Sequence, residues 1–297
     1  MTESNAPARP TLVEAQVILP PEVESVVGGP APTPPERWHV EAPSLPFAVR
    51  GWGRGRPVLA LHGVTSSAGS WWRLGPAIAA AGFTVVAPDM PGHGETPPPA
   101  PGRRSFTAIA GLLAELVAEL GLPVDELAVI GHSWGAMVAA HLPAVGLRPA
   151  KLVLMDPPTR DAAWGRERAA GARRAASRAE ALAMALEAHP DWGVDDLGGK
   201  AEALLHLDPG TVHDVFAGDA WDGALGALSA PAAAGLETWV IRGEPAAGGY
   251  VPDDVLPAYA ALIGAQRILT IASAEHSSAP LHPRATVAAI LRALGAG

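Results

Sequence analysis

The chain reads as an α/β protein: a mostly parallel sheet of eight strands, helices on both faces, and a helical segment inserted between two strands. Three observations predict it. Short apolar runs alternate with longer stretches of helical periodicity over 34–156 and again over 232–297, the pattern of parallel strands joined by crossover helices. The alternation stops over 157–231, which is too long for a connection and carries its own helical pattern. Gly131-His132-Ser133-Trp134-Gly135 stands where an apolar strand meets an alanine-rich helix, a junction that such a sheet supplies.

The elements follow in order. Residues 1–33 are proline-rich and lack periodicity, so a disordered or loosely attached leader is expected. Residues 37–41 and 45–51 alternate as an antiparallel pair around a turn at 42–44. Residues 57–61 are continuously apolar, as a strand buried on both faces requires. A loop at 63–69 leads to a helix expected over 71–81, a strand at 83–87 and a loop at 89–94. In 105–120 the apolar positions 109, 112, 113, 116, 117 and 120 share one helical face. Strands at 127–130 and 151–155 bracket a helix over 134–147. The insertion 157–231 is expected to form a helical cap, after which strands at 236–242 and 267–271 alternate with helices at 253–263 and 283–294.

Composition narrows the function. A net charge of -9 disfavours a nucleic-acid surface. The absence of cysteine removes disulfides, thiolate metal sites and cysteine catalysis. No apolar run reaches the length of a membrane span, and the first residues lack a basic segment followed by an apolar one, so a cytoplasmic protein without a membrane partner is expected. Neither a phosphate-binding loop nor G-x-G-x-x-G after a strand occurs, so no nucleotide cofactor is expected. Asp89 and His93 have no second ligand cluster beside them, and a structural turn is the expected reading.

The chemistry centres on Ser133. A serine on a sharp strand-to-helix turn projects its hydroxyl beside helix N–H groups, and glycines at 131 and 135 leave room for the close backbone approach. A serine hydroxyl is a weak nucleophile until a base takes its proton, so a histidine partner is required. Ten histidines compete for that role.

His62-Gly63 after one strand, Asp89-Met-Pro-Gly-His-Gly94 after the next, the serine turn and the late His276 together resemble the α/β-hydrolase fold family over nearly all of 37–297. The layout is similar to its capped branch, which includes esterases, haloalkane dehalogenases, epoxide hydrolases and proline iminopeptidases. The resemblance implies His276 as the base and makes His62 and His93 structural. It also implies oxyanion donors at the N–H groups of Val64 and Trp134, with the Trp134 indole as an apolar wall.

The acid departs from the commonest pattern. Most relatives carry it two residues past a Gly-Glu or Gly-Asp in the loop that here begins Gly243-Glu244, and that place holds alanine. Asp156, after the preceding strand, is the first candidate, Glu244 the second, and Asp253 or Asp254 the third. Serine in place of a carboxylate nucleophile argues against dehalogenation and epoxide opening, and for attack on a carbonyl.

The expectation is a cofactor-independent, carboxylesterase-like serine hydrolase. Its substrate would be a small to medium, partly apolar ester, thioester or lactone, bound beneath tryptophans 71, 72, 164, 192 and 221. Rival expectations are a perhydrolase, lyase or carbon–carbon hydrolase using the same residues, or a ligand-binding module on the same fold. Arg160, Arg166, Arg168, Arg173, Arg174 and Arg178 are expected to form a solvated helix face paired with Glu167 and Glu180.

Overall fold

A computed structural model describes residues 10–27, 29, 34–160, 162–218, 221, 224–230 and 233–296. Its strands are β1 (Thr11–Leu12), β2 (Glu36–Glu41), β3 (Pro46–Trp52), β4 (Arg56–Leu61), β5 (Phe83–Pro88), β6 (Ala128–His132), β7 (Lys151–Met155), β8 (Glu237–Arg242) and β9 (Ile268–Ile271). They form one sheet in the order β1-β9-β8-β7-β6-β4-β5-β3-β2. The β2–β3 and β3–β5 pairs are antiparallel and the rest are parallel. The central strands are the continuously apolar runs, while edge strand β2 keeps mixed burial along its length.

Helices are α1 (Pro21–Val27), α2 (Leu74–Ala80), α3 (Phe106–Glu119), α4 (Trp134–His141), α5 (Ala162–Ala170), α6 (Arg178–Ala188), α7 (Val194–Leu205), α8 (Pro209–Gly218), α9 (Leu225–Ser229), α10 (Leu256–Ile263), α11 (Ser278–Leu281) and α12 (Pro283–Leu294). The two-residue period of the strands divides the core in two. Leu59, Leu61, Val129 and Leu154 face α3, α4 and α10. Val58, Ala60, Ile130 and Val153 face α1, α2 and α12 on the other side. Ser105 starts α3 by accepting the Ala108 N–H on its hydroxyl at 3.2 Å.

The leader expectation is corrected for residues 10–27; residues 1–9, 28 and 30–33 lie outside the described set. β1 adds a ninth strand to the expected eight, parallel to β9 with Thr11 opposite Thr270. Val23 and Val27, four apart on one face of α1, and Leu19 just before it are buried against the α2 and α12 side of the core. Glu14 accepts the backbone N–H groups of Arg284 (3.0 Å) and Ala285 (2.7 Å), so a leader carboxylate caps the first turn of α12. These contacts outweigh the prolines, of which Pro21 takes the first position of α1.

Between β7 and β8 lie α5 to α9. They reach loops that follow several strands: Trp72 Nε1 donates to Asp196 (2.9 Å), Lys200 Nζ to Thr65, and Trp192 Nε1 to Glu275 (2.8 Å). They therefore overhang the C-terminal edge of the sheet. β5 lies on one side of β4 and β6 on the other, so the connections diverge at the β4–β6 pair. In an open parallel sheet that divergence leaves a crevice at the strand C-termini. Among the described residues no helix is long and apolar enough to cross a membrane.

Candidate active site

Ser133 is the residue after β6 and before α4, with φ 54° and ψ -119°. A non-glycine residue there is strained, and the turn is held by the Ser133 N–H donating to Met155 O at 2.9 Å. The two glycines serve close packing. A Cβ on Gly131 would collide with the Gly135 carbonyl, and one on Gly135 would stand 2.5 Å from Leu61 O. The helix thus comes hard against β4 and β6. Gly63 in turn brings the β4 loop against the serine, where an added Cβ would lie 3.1 Å from the Ser133 Cβ.

His276 follows β9 and lines the same cavity as Ser133. Its Nδ1 stands 2.6 Å from Asp156 Oδ2. Asp156, buried at the end of β7, also accepts the N–H groups of Tyr250 (2.8 Å, Oδ2) and Gly243 (3.3 Å, Oδ1). Three donors converge on two oxygens, so the carboxylate is fixed and the imidazole carries its proton on Nδ1. The lone pair is left on Nε2. The Tyr250 ring stacks on the imidazole at 3.8 Å between centroids, fixing its plane. No sequence pattern pointed to Tyr250.

The other acid candidates are engaged elsewhere. Glu244 Oε2 accepts the Ser273 N–H at 2.8 Å. Asp253 Oδ1 takes Arg242 Nη2 at 2.6 Å, and Asp254 lies beside it in the same short turn.

Val64 lines the cavity, next to the Gly63 approach. Trp134 opens α4, so its N–H belongs to the first helical turn, where donors lack intrahelical partners. Its indole is no cavity wall. It is fully buried beneath the turn, with the His93 ring 5.1 Å and the His62 ring 6.5 Å away, because a first-turn side chain here points back toward the sheet.

His62 and His93 hold loops. The Met90 N–H donates to His62 Nε2 (2.8 Å), and Nδ1 faces Gly63 O (2.8 Å). The Thr65 N–H donates to His93 Nε2 (3.3 Å), and Nδ1 faces Pro91 O (3.1 Å). Burial pushes both down to about 3. His132 Nε2 donates to His276 O at 3.0 Å, and burial first, then the neighbouring His276, pushes it down to about 4. Asp89 accepts the N–H groups of Ala68 (2.7 Å) and Glu95 (3.0 Å), which fits a structural turn. Among the described residues no cluster of three or more His, Asp and Glu is able to hold a metal ion.

The cavity has a volume of about 510 Å³ and runs from the β-sheet edge to the inserted helices. Tryptophans 71, 72, 164 and 192 line it; Trp221 is instead fully buried against Phe106, Phe216 and Trp164. The arginines divide. Arg178 pairs with Glu202 (3.3 Å), as on a solvated face, whereas Arg173 pairs with Glu180 and also lines the cavity. Arg168 lies over the Trp164 ring, and it and Glu167 line the cavity. Lys200 also enters it, a residue the sequence did not single out.

A family model described as alpha/beta hydrolase fold matches residues 56–185. The soluble epoxide hydrolase of Corynebacterium sp. (strain C12) is 42% identical over 89 residues, 30% of this chain and 30% of that protein. Lipase LipV of Mycobacterium tuberculosis is 40% identical over 103 residues, 34% of this chain and 36% of the lipase. The match therefore spans about a third of the length of these curated relatives. The crystal structure of E-2-(acetamidomethylene)succinate hydrolase superposes with a TM-score of 0.74 at 20% identity, covering 88% of this chain and 99% of that one. With the sheet order, the elbow between β6 and α4 and the matched model taken together, the chain has the α/β-hydrolase fold, and its residues 56–185 match the model of that family.

Proposed function

We propose that the protein is a serine hydrolase acting on an ester, thioester, lactone or similar acyl bond. Ser133 Oγ attacks the acyl carbon while His276 Nε2 takes its proton. The Oγ–C bond forms, and the carbonyl electron pair moves onto oxygen, where the N–H groups of Val64 and Trp134 receive it. Collapse expels the alcohol or thiol, which takes the proton from His276. Water, deprotonated by the same nitrogen, then releases the acid and restores Ser133. Asp156 holds the imidazole in the tautomer this needs.

The single observation that carries the reading is the 2.6 Å contact between His276 Nδ1 and the thrice-bonded Asp156, with Nε2 left for a cavity that Ser133 shares. Epoxide hydrolases are among the relatives, but opening an epoxide relies on a carboxylate attacking an sp³ carbon, and this chain has serine at the elbow. A lipase among the relatives accords with acyl chemistry. A fluorophosphonate probe tests the proposal. Labelling of the wild type at Ser133, lost in Ser133→Ala and His276→Ala, is the expected result. An unlabelled wild type that also leaves short-chain ethyl esters unhydrolysed would sink it.

A further inference from the structure

Lys200 is one of only two lysines in the chain. It lies on α7 and lines the cavity. Its Nζ donates to Thr65 O at 2.9 Å and to Thr65 Oγ1 at 2.8 Å. Both acceptors are neutral, and an ammonium has three N–H groups, so one donor remains. Among the described residues Lys200 makes no ion pair. Its neighbours differ. Arg73 has Asp196 at 3.4 Å, and Arg173 has Glu180. Burial pushes Lys200 down to about 8, which leaves it protonated at neutral pH with no carboxylate to raise it.

Lys200 is half-buried at the cavity wall, and an ammonium partly withdrawn from water without a counter-ion is costly. Here the missing charge faces the cavity. Thr65 directly follows Val64, the proposed oxyanion donor, so an anion on Lys200 lies close to a bound acyl carbon. We propose that Lys200 anchors a carboxylate of the substrate, and that the substrate class is the half-esters or half-thioesters of short dicarboxylic acids. This rests on the serine-hydrolase reading above. The rival role is purely local: Lys200 fastens Thr65, whose φ is 61°, and thereby the loop that carries Val64.

Ethyl half-esters of succinic, glutaric and adipic acid, set against ethyl butanoate, pentanoate and hexanoate, separate the two roles. Hydrolysis is followed by pH-stat. At least one half-ester should exceed its neutral partner in kcat/KM by about tenfold or more, the scale of a hydrogen bond between charged groups. Lys200→Met should collapse that ratio by about ten- to hundredfold, and Lys200→Arg should retain part of it. A wild type with no preference overturns the anchor, as does a Lys200→Met variant that slows both ester series in proportion, which is the signature of the loop role.

Calorimetric titration with glutarate keeps this independent of the nucleophile. If Ser133 is unlabelled and no ester turns over, the hydrolase reading fails, and the anchor is judged by binding alone. Glutarate binding tighter in wild type than in Lys200→Met supports it, and equal or absent binding overturns it.

Discussion

Acid should destabilise this protein in part through two histidines, His62 and His93, that do not line the cavity. His62 and His93 each donate from Nδ1 to a carbonyl and accept a backbone N–H on Nε2. Protonation places a hydrogen on Nε2, against the N–H it was accepting, in a fully buried site. Burial accordingly pushes both down to about 3 from 6.5. The unfolded chain binds protons at these rings below about pH 6.5 and the native chain does not, so stability falls as pH falls from there toward 3. At pH 4.5 each ring has lost about 1.36 × 2, or roughly 2.7 kcal/mol, and the pair about 5 kcal/mol. That is comparable with the whole stability of an ordinary domain, about 5–15 kcal/mol. Urea unfolding at pH 7, 6, 5 and 4.5 measures it. His93→Gln, whose amide oxygen can still accept the Thr65 N–H, should lower stability at pH 7 but flatten its fall below pH 6.5 by about 1.4 kcal/mol per pH unit. Other titrations cancel in the comparison. Equal slopes in wild type and variant would refute the argument.

Asp156→Asn should lower kcat by several orders of magnitude, roughly the 10⁴ found where a triad carboxylate becomes an amide, with little change in KM; a loss under tenfold would remove Asp156 from the proposed role. Gly135→Ala puts a Cβ 2.5 Å from Leu61 O and 2.8 Å from His62 O, both backbone, so soluble yield and melting temperature should drop sharply; unchanged melting would mean that α4 can lift off β4 freely. Deleting residues 1–29 bares the hydrophobic sites of Leu19, Val23 and Val27 and the β9 edge, a cost of about 5 kcal/mol at roughly 1.5–3 kcal/mol per buried aliphatic side chain; an equally stable truncation would show that the segment is dispensable.

What the sequence revealed was local. β4, β6 and β7 are contiguous apolar runs because both of their faces are covered, and the Ser133 elbow is written within five residues. What it hid was distant. The His276–Asp156 contact joins residues 120 apart; the sequence put Asp156 ahead of Glu244 by resemblance only, and the contact itself separates them. α1 is short and set among prolines, and the partners that order it lie some 260 to 270 residues on, where Arg284 meets Glu24 and Glu14. The Trp134 indole lies away from the cavity: adjacency to Ser133 in sequence says nothing of which way a side chain leaves the first turn of a helix. Lys200 belongs to no motif. Its only sequence signal is that it is a lysine where the chain otherwise uses arginine.

The strained residues tie these observations together. Among the described residues, the non-glycine positions with positive φ are Thr65, Ser133, Asp156 and Ser273, and all four follow C-terminal ends of parallel strands. Such conformations cost about 1–3 kcal/mol each and persist only where neighbours impose them. Ser133 is held by Met155 O, Asp156 by Ile241 O through its own N–H at 2.7 Å, and Thr65 by Lys200. Ser273 is held by Glu244, three residues before His276. Glu244, a candidate acid by sequence, therefore supports the histidine loop from outside by accepting one backbone N–H. That role needs an acceptor and no charge. Glu244→Gln should keep most of kcat and its pH profile, whereas Glu244→Leu should lower kcat by about tenfold, the scale of a lost hydrogen bond to a charged group. If Gln proves as damaging as Leu and shifts the pH profile, the charge itself matters, and the support role for Glu244 fails.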